Sequence, residues 1–181
     1  MRSIAVAALL TLVSSAALAA LKPGDAAPDF SLEAAQGGKE FSFSLRQALE
    51  KGPVVLYFYP KSFTSVCTLE AHEFAEAMEQ FAAMGASVIG VSSDKIATQR
   101  EFSTKECRDK FPVGADPDFK VINAYDAGFK VPVAGAMFAN RISYVIAPGG
   151  KILSAVEDSG ATKHIENALA VVRRWRDAQR K

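Results

Sequence analysis

The chain has 181 residues, 49% of them hydrophobic and 23% charged, a composition that fits one globular domain and excludes disorder, collagen and coiled coils. Lys and Arg number 21 and Asp and Glu 20, giving a formal charge of +1, so the sequence predicts no nucleic-acid partner. Two cysteines and two histidines are too few for a disulfide scaffold or for an easy structural zinc site, so any chemistry must come from few residues.

The first nineteen residues have the pattern of a secretory signal peptide. Arg2 gives a positive start, the run Ile4 to Leu18 carries no charge, and Ala17-Leu18-Ala19 has the small-x-small form that signal peptidase cleaves. A transmembrane helix needs roughly 20 apolar residues, and this run is shorter. We therefore expect cleavage after Ala19, export to the periplasm or the medium without stable membrane insertion, and one mature domain over residues 20–181. An uncleaved anchor helix is the alternative.

The mature part begins with patterns typical of a hairpin and a buried strand. Phe30–Leu32 and Phe41–Phe43 are short alternating runs around Gln36-Gly37-Gly38-Lys39, which predicts an N-terminal β-hairpin. Ser44 is a residue typical of the start of a helix, so a helix is predicted to begin there. Every residue of Val54–Tyr59 is apolar, which indicates a strand buried on both faces of an α/β sheet.

A long helix and further alternating elements follow. The segment from Thr64 to Met84 predicts a helix whose apolar stripe contains Leu69, Phe74, Met78, Phe81 and several alanines. The remaining predicted elements are a strand over Ser87–Val91, helices over Ile96–Arg108 and Phe119–Tyr125, a hairpin of Ile142–Ile146 with Ile152–Val156, and a final helix from Thr162. This order predicts a single α/β domain with a central mixed sheet flanked by helices.

Cys67 lies where the predicted buried strand leads into the long helix. Functional groups of open α/β sheets gather at the carboxyl ends of the strands. In the first turn of a helix, the unpaired N–H groups and the helix dipole favour a thiolate. The dipole supplies at most about 2 kcal/mol, so a strongly activated thiolate needs a cation nearby as well. For Cys67 taken alone, a buried inert thiol remains the alternative.

Four motifs, in order along the chain, resemble those of the peroxiredoxins. They are the entry Gly24-Asp25-Ala26-Ala27-Pro28-Asp29-Phe30, the active-site pattern Pro60-x-x-x-Thr64-x-x-Cys67, its continuation Cys67-Thr68-Leu69-Glu70, and the second motif Arg141-Ile142-Ser143-Tyr144-Val145-Ile146. The continuation resembles that of the bacterioferritin-comigratory, or PrxQ-like, subgroup. Together the motifs are spread from Gly24 to Ile146, a stretch that covers most of the mature chain.

The resemblance implies a thioredoxin-like fold and a thiol peroxidase that reduces hydrogen peroxide and organic hydroperoxides. Cys67 would attack a peroxide oxygen and become a sulfenic acid, Thr64 would hydrogen-bond the peroxide, and Pro60 would shield the sulfur. Arg141 would stabilise the thiolate and the developing charge, with Glu70 holding the arginine. An arginine suits this role because it stays charged and offers five donors. No cofactor or metal is expected, since the sulfur is itself the redox centre.

The second cysteine is expected to resolve the sulfenic acid. Many PrxQ-like proteins carry a resolving cysteine five residues after the nucleophile, but that position is His72 here. Another branch places it in the following helix, where Cys107 lies on a mixed face that predicts access to solvent. An idle Cys107 and a structural disulfide are the alternatives. A disulfide requires Cα atoms within about 7 Å, so a larger separation from Cys67 would demand local unfolding.

Three other functions are weighed against the peroxidase. An exported thiol–disulfide oxidoreductase needs Cys-x-x-Cys, and Thr64 occupies the first position of that tetrapeptide. A copper chaperone needs two neighbouring thiols. A redox-binding protein without peroxidase activity would have no use for the intact set of Thr64, Cys67 and Arg141.

The resemblance and the predicted export together suggest the partners. We expect a peroxide substrate and a thioredoxin-like dithiol protein as reductant, and the protein is expected to be a monomer or a homodimer. His72 and His164 are predicted to be solvated or at the edge of the core rather than catalytic.

Overall fold

The structure, a computed structural model, describes residues 20–131 and 135–180, so the predicted signal peptide lies outside the described residues. The elements in chain order are β1 Ser31–Gln36, β2 Lys39–Ser44, α1 Leu45–Leu49, β3 Val54–Phe58, α2 Ser65–Ala83, β4 Ser87–Ser92, α3 Ile96–Lys105, β5 Val113–Ala115, α4 Lys120–Ala124, β6 Gly128–Lys130, β7 Met137–Ala139, β8 Ile142–Ile146, β9 Ile152–Glu157 and α5 Thr162–Gln179. None of the helices in this part of the chain has the length and apolar character needed to cross a membrane.

Seven strands form one mixed sheet in the order β2-β1-β5-β4-β3-β8-β9. β3, β4 and β5 run parallel to one another, whereas β8 pairs antiparallel with β3 and the two hairpins close the edges. β6 and β7 form a separate antiparallel pair. The predicted N-terminal hairpin and the central mixed sheet are therefore confirmed.

The central strands β3 and β8 are buried at every residue. On one face of the sheet, Val55 and Tyr57 pack in a cluster with side chains of α2 and α5. On the other face, Leu56 and Phe58 pack against α1 and α4. Apolar cover on both faces explains why the sequence of β3 shows no polar alternation.

Helix α2 buries a face that includes Cys67, Ala71, Phe74 and Phe81. The prediction that Leu69 belongs to this apolar stripe is wrong, because its side chain is 49% exposed. Leu69 comes two residues after Cys67, about 200° around the helix, and therefore points away from the buried face.

Helix α3 is shorter than predicted. It ends at Lys105 instead of Arg108, so Cys107 lies in the turn that follows the helix. Arg108 and Asp109 have φ angles of 51° and 59°, in the left-handed region. A right-handed helix cannot continue through these angles, and the chain turns back toward β5.

Candidate active site

Cys67 occupies the first turn of α2, at the carboxyl end of β3. Thr64 is the N-cap, with extended backbone angles, and its carbonyl accepts the first helical hydrogen bond from the Thr68 N–H at 2.8 Å. The N–H groups of the first three helical residues consequently have no partner within the helix, and their positive ends favour an anion at this position. The Cys67 side chain is almost fully buried, with 1% exposure.

Arg141 reaches the sulfur from the neighbouring strand. It immediately precedes β8, and the register that pairs Ile142 with Phe58 places it beside the end of β3. Its Nη2 donates a hydrogen bond to Cys67 Sγ at 3.2 Å, while its Nη1 donates to Glu70 Oε2. One guanidinium thus joins the thiol and the carboxyl group that were predicted to meet.

Burial and the mutual contacts act in opposite directions on the ionisable groups of this cluster. Burial works to lower the pKa of Arg141, but the adjacent Glu70 carboxyl group and the Cys67 sulfur outweigh it, and the pKa lies above its ordinary value. Burial raises the pKa of Glu70 to about 8, against the opposing effect of Arg141. The second oxygen, Oε1 of Glu70, is buried and has no hydrogen-bond partner among the described residues. Arg141 is therefore a permanent cation beside the sulfur.

Thr64 and Pro60 flank the loop between β3 and α2. The Thr64 hydroxyl donates to the Lys61 carbonyl at 2.9 Å, and the threonine is exposed. This hydroxyl must release the carbonyl before it can donate to a bound molecule. Pro60 is half-buried at the start of the loop.

A buried polar network fixes the same loop, and the sequence analysis missed it. Gln99 Oε1 on α3 accepts hydrogen bonds from the Tyr59 hydroxyl at 2.6 Å and from Ser62 Oγ at 3.3 Å. Gln99 Nε2 donates to Ser92 Oγ at 2.8 Å, and Asp94 Oδ2 accepts from the Ser62 N–H at 2.7 Å. A satisfied network of this kind rigidifies the backbone that it touches. Its members follow no spacing rule in the sequence that could have revealed them.

Residues 23–155 match the AhpC/TSA family. The chain belongs to this family. Peroxiredoxin Bcp of Escherichia coli is 31% identical over 151 residues, which is 82% of this chain and 94% of that protein. The structure of peroxidoxin BcpB from Mycobacterium tuberculosis superposes with a TM-score of 0.77 at 29% identity, covering 85% of this chain and 97% of that one.

A further relative places this peroxiredoxin within its subgroup. The bacterioferritin comigratory protein of Xanthomonas campestris, studied for its alkyl peroxide reduction activity, gives a TM-score of 0.70 at 26% identity and covers 80% of this chain and 92% of that one. The chain is a thiol peroxidase of the bacterioferritin-comigratory, PrxQ-like subgroup, with a thioredoxin-like fold. The alternative of a redox protein without peroxidase activity has no comparable support.

The second cysteine of the peroxiredoxin does not lie on an accessible helical face, and that prediction is wrong. Cys107 is fully buried and packs in the same core cluster as Phe102 and Phe111. Burial, together with the nearby carboxyl groups of Glu106 and Asp109, raises the pKa of the Cys107 thiol well above its ordinary value. Both cysteines are free thiols. The mixed pattern of α3 did not reveal this burial because the chain leaves the helix before Cys107.

The two histidines differ in their surroundings. His72 lies at the edge of the core, as predicted, and its Nε2 is 2.8 Å from Glu106 Oε2. His164 is fully buried, so the prediction of a solvated or core-edge position is wrong for it. Its ring lies between the Ser143 hydroxyl and the Asp158 carbonyl, and burial lowers its pKa.

The described residues offer little to a metal ion. Across residues 20–131 and 135–180, no group of three or more His, Cys, Asp and Glu side chains is arranged to hold one.

Proposed function

We propose that Cys67 is the peroxidatic nucleophile and that Arg141 is the group that makes its sulfur reactive. The observation that carries this assignment is the 3.2 Å hydrogen bond from Arg141 Nη2 to Cys67 Sγ inside a site from which water is largely excluded. A fixed cation that is already in place stabilises the thiolate without reorganisation during the reaction. The contact between Arg141 and Glu70 keeps the guanidinium in that position.

The first step is a displacement at a peroxide oxygen. The Cys67 thiolate attacks one oxygen, the S–O bond forms, the O–O bond breaks, and the departing oxygen takes up a proton to leave as water or an alcohol. Two of the five N–H donors of Arg141 are used by Glu70 and the sulfur, and the remaining donors can bind the peroxide and the developing charge. Thr64 supplies a further donor once it releases the Lys61 carbonyl. Pro60, at the start of the loop, shields the sulfur from bulk water.

Cys107 then resolves the sulfenic acid. Its sulfur attacks Cys67 Sγ, the S–S bond forms and the S–O bond breaks, and the oxygen leaves as water with the proton of the Cys107 thiol. A fully buried thiol with a raised pKa is a poor nucleophile. Local opening of the turn after α3 would bring this thiol to Cys67 and would also remove the burial that keeps it protonated.

The reductant and the location belong to the same proposal. A thioredoxin-like dithiol protein would attack the disulfide and return both thiols. The signal-like pattern of residues 1–19 supports export, and an exported enzyme would draw on a dithiol donor in the periplasm or the medium. Both a monomer and a homodimer fit this cycle, because the two cysteines lie in one chain.

Consumption of hydrogen peroxide and of an alkyl hydroperoxide, with dithiothreitol as reductant, tests the assignment of the nucleophile. Cys67→Ser should lose the activity, because a serine hydroxyl provides no accessible anion. The matched control is Cys107→Ser, which should keep the first turnover and keep steady activity with dithiothreitol. With a dithiol protein as donor, Cys107→Ser should instead stop turning over. Turnover above about one per cent in Cys67→Ser would place the chemistry on another residue.

The chemical state of the oxidised enzyme tests the role of Cys107. Intact mass and peptide mapping after one equivalent of peroxide should show a Cys67–Cys107 disulfide within one chain. A sulfenic or sulfinic acid as the main product, or wild-type turnover of Cys107→Ser with the protein donor, would leave the enzyme with a one-cysteine mechanism.

A further inference from the structure

The turn that follows α3 is attached to α2 by two side-chain contacts. His72 Nε2 lies 2.8 Å from Glu106 Oε2, and Arg108 Nη1 donates to Glu76 Oε1 at 3.2 Å. His72 and Glu76 are four residues apart on α2, so both project from the same side of that helix. We call these two contacts the clasp. Through the clasp, α2 contacts the residues immediately before and after Cys107.

The backbone held by the clasp is in an unfavourable conformation. Arg108 and Asp109 are two consecutive residues in the left-handed region, which residues other than glycine seldom adopt. The turn also has hydrogen bonds of its own. The Glu106 and Cys107 N–H groups both donate to the Phe102 carbonyl, at 2.9 and 3.0 Å, and the Lys110 N–H donates to the Cys107 carbonyl at 2.9 Å. The Asp109 N–H donates to the Ser103 carbonyl at 3.0 Å, and the Asp109 carbonyl accepts from Gln36 Nε2 at 3.2 Å. Strained backbone of this kind persists only where its surroundings hold it. The turn should therefore open when the contacts around it are lost.

We propose that the clasp sets the rate at which Cys107 leaves the core to resolve the oxidised Cys67. The inference rests on the proposed role of Cys107 as the resolving cysteine. The helix that carries the nucleophile thereby also restrains its partner, and His72 acts as a positioning residue through Glu106.

This restraint decides between two fates of the sulfenic acid. In the first, Cys107 forms the S–S bond and the oxygen leaves as water, which returns the enzyme to its cycle. In the second, another peroxide oxidises the Cys67 sulfur to a sulfinic acid, its O–O bond breaks, and the enzyme is inactivated. A tighter clasp lengthens the life of the sulfenic acid and favours the second fate.

The two contacts of the clasp differ in how far their side chains are exposed to solvent. The side chains of His72 and Glu106 are 32% and 20% exposed, whereas those of Arg108 and Glu76 are 46% and 66% exposed. Exposed ion pairs contribute little because water screens them. The contact between His72 and Glu106 should therefore dominate the restraint.

The test is a single turnover of the reduced, full-length mature enzyme with one equivalent of hydrogen peroxide. Samples quenched with an alkylating reagent and analysed by intact mass give the rate of disulfide formation. His72→Ala should raise this rate about three- to ten-fold, the effect of removing one partly buried pair. The rate of peroxide consumption in the first step should stay within about twofold of wild type. At excess peroxide, the sulfinic fraction should fall.

Glu40→Gln is the matched control, because Glu40 also accepts a hydrogen bond from an arginine at 3.2 Å but joins α3 to β2. This control should change neither rate. His72→Leu, which keeps much of the side-chain volume but has no hydrogen-bonding group, provides a second variant of the clasp should His72→Ala fail to fold. Unchanged or slower disulfide formation in the His72 variant would overturn the inference. Absence of the Cys67–Cys107 disulfide in the wild type would instead overturn the proposed function itself.

Discussion

Glu70 contacts Arg141 across the core, although one residue lies on α2 and the other immediately precedes β8. The pair is buried on both sides, with exposures of 0% for Glu70 and 7% for Arg141. Breaking a buried ion pair from one side leaves an uncompensated charge in the protein interior. The same contact that orients the guanidinium toward Cys67 therefore also ties the site to the stability of the fold.

Removal of the arginine should slow the first step without unfolding the protein. Arg141→Ala is expected to lower the rate constant of Cys67 oxidation about 10²–10³-fold, the usual effect of losing one charge-stabilising donor. The rate constant of Arg141→Lys should lie between those of wild type and Arg141→Ala, since a single ammonium group cannot bind both Glu70 and the sulfur. Rapid-mixing kinetics of thiol oxidation by hydrogen peroxide would measure these rates. Arg46→Ala, at an exposed pair, is the control, and a normal rate in Arg141→Ala would exclude the arginine from the chemistry.

Truncation of the carboxylate should affect stability as well as rate. Glu70→Ala leaves Arg141 buried without its partner, and the free energy of unfolding should fall by about 3–5 kcal/mol. Glu70→Gln keeps an acceptor oxygen, so its free energy of unfolding should fall by less than that of Glu70→Ala. Urea denaturation followed by circular dichroism gives both values. Glu79→Ala, on an exposed position of the same helix, should stay within about 0.5 kcal/mol of wild type. A Glu70→Ala protein as stable as this control would refute the argument.

Acid should destabilise the fold through His164. The Asp158 carbonyl can only accept, so His164 Nε2 carries a proton and donates to it, and in the neutral ring Nδ1 accepts from the Ser143 hydroxyl. Burial lowers its pKa in the folded state, so the unfolded chain binds a proton that the folded chain does not. The contribution of His164 to the free energy of unfolding should therefore be lost as the pH falls below about 6.5.

The comparison of two glutamine variants isolates this contribution. Relative to wild type, His164→Gln should lack this loss of stability between about pH 6.5 and pH 5. Glu70, whose pKa is raised in the folded state, contributes a slope of opposite sign over this range, and both proteins share it. His72→Gln should keep the loss that His164 causes. Urea midpoints at several pH values would measure the slope, and equal slopes for His164→Gln and wild type would show that another group is responsible.

The two faces of α2 should respond differently to truncation. Phe74 is fully buried and stacks on Tyr57 with ring centroids 4.5 Å apart, so Phe74→Ala should cost roughly 3–5 kcal/mol of unfolding free energy. Leu69 is 49% exposed, and Leu69→Ala should cost less than about 1 kcal/mol. Thermal or urea unfolding distinguishes the two, and similar losses would mean that Leu69 is covered in solution.

Local patterns predicted the elements that hold the candidate site. The uninterrupted apolar run of β3 and the strand-to-helix junction at Cys67 are short-range signals, because both depend on burial and capping within a few residues. The contact of Cys67 with Arg141 could be anticipated only from the motifs, since no spacing rule relates residues 74 positions apart. Strands β5, β6 and β7 have three residues each, too few for any periodicity to emerge.

The errors share a physical cause in long-range packing. Cys107 is buried because the chain leaves α3 at a left-handed turn and returns beneath α2, which the face of an ideal helix does not predict. Gln99 has a polar side chain, but the strand ends and the loop around it satisfy every one of its hydrogen-bonding groups. In both cases the environment is built by segments far away in the sequence.

The near-complete burial of Cys67 should also favour small reagents. With 1% of its surface exposed, the sulfur is reached only when the residues around it are displaced. We expect hydrogen peroxide to need a smaller displacement of these residues than a bulky disulfide such as oxidised glutathione. If the protein is exported as proposed, this burial would protect the proposed nucleophile from the compounds that modify exposed cysteines.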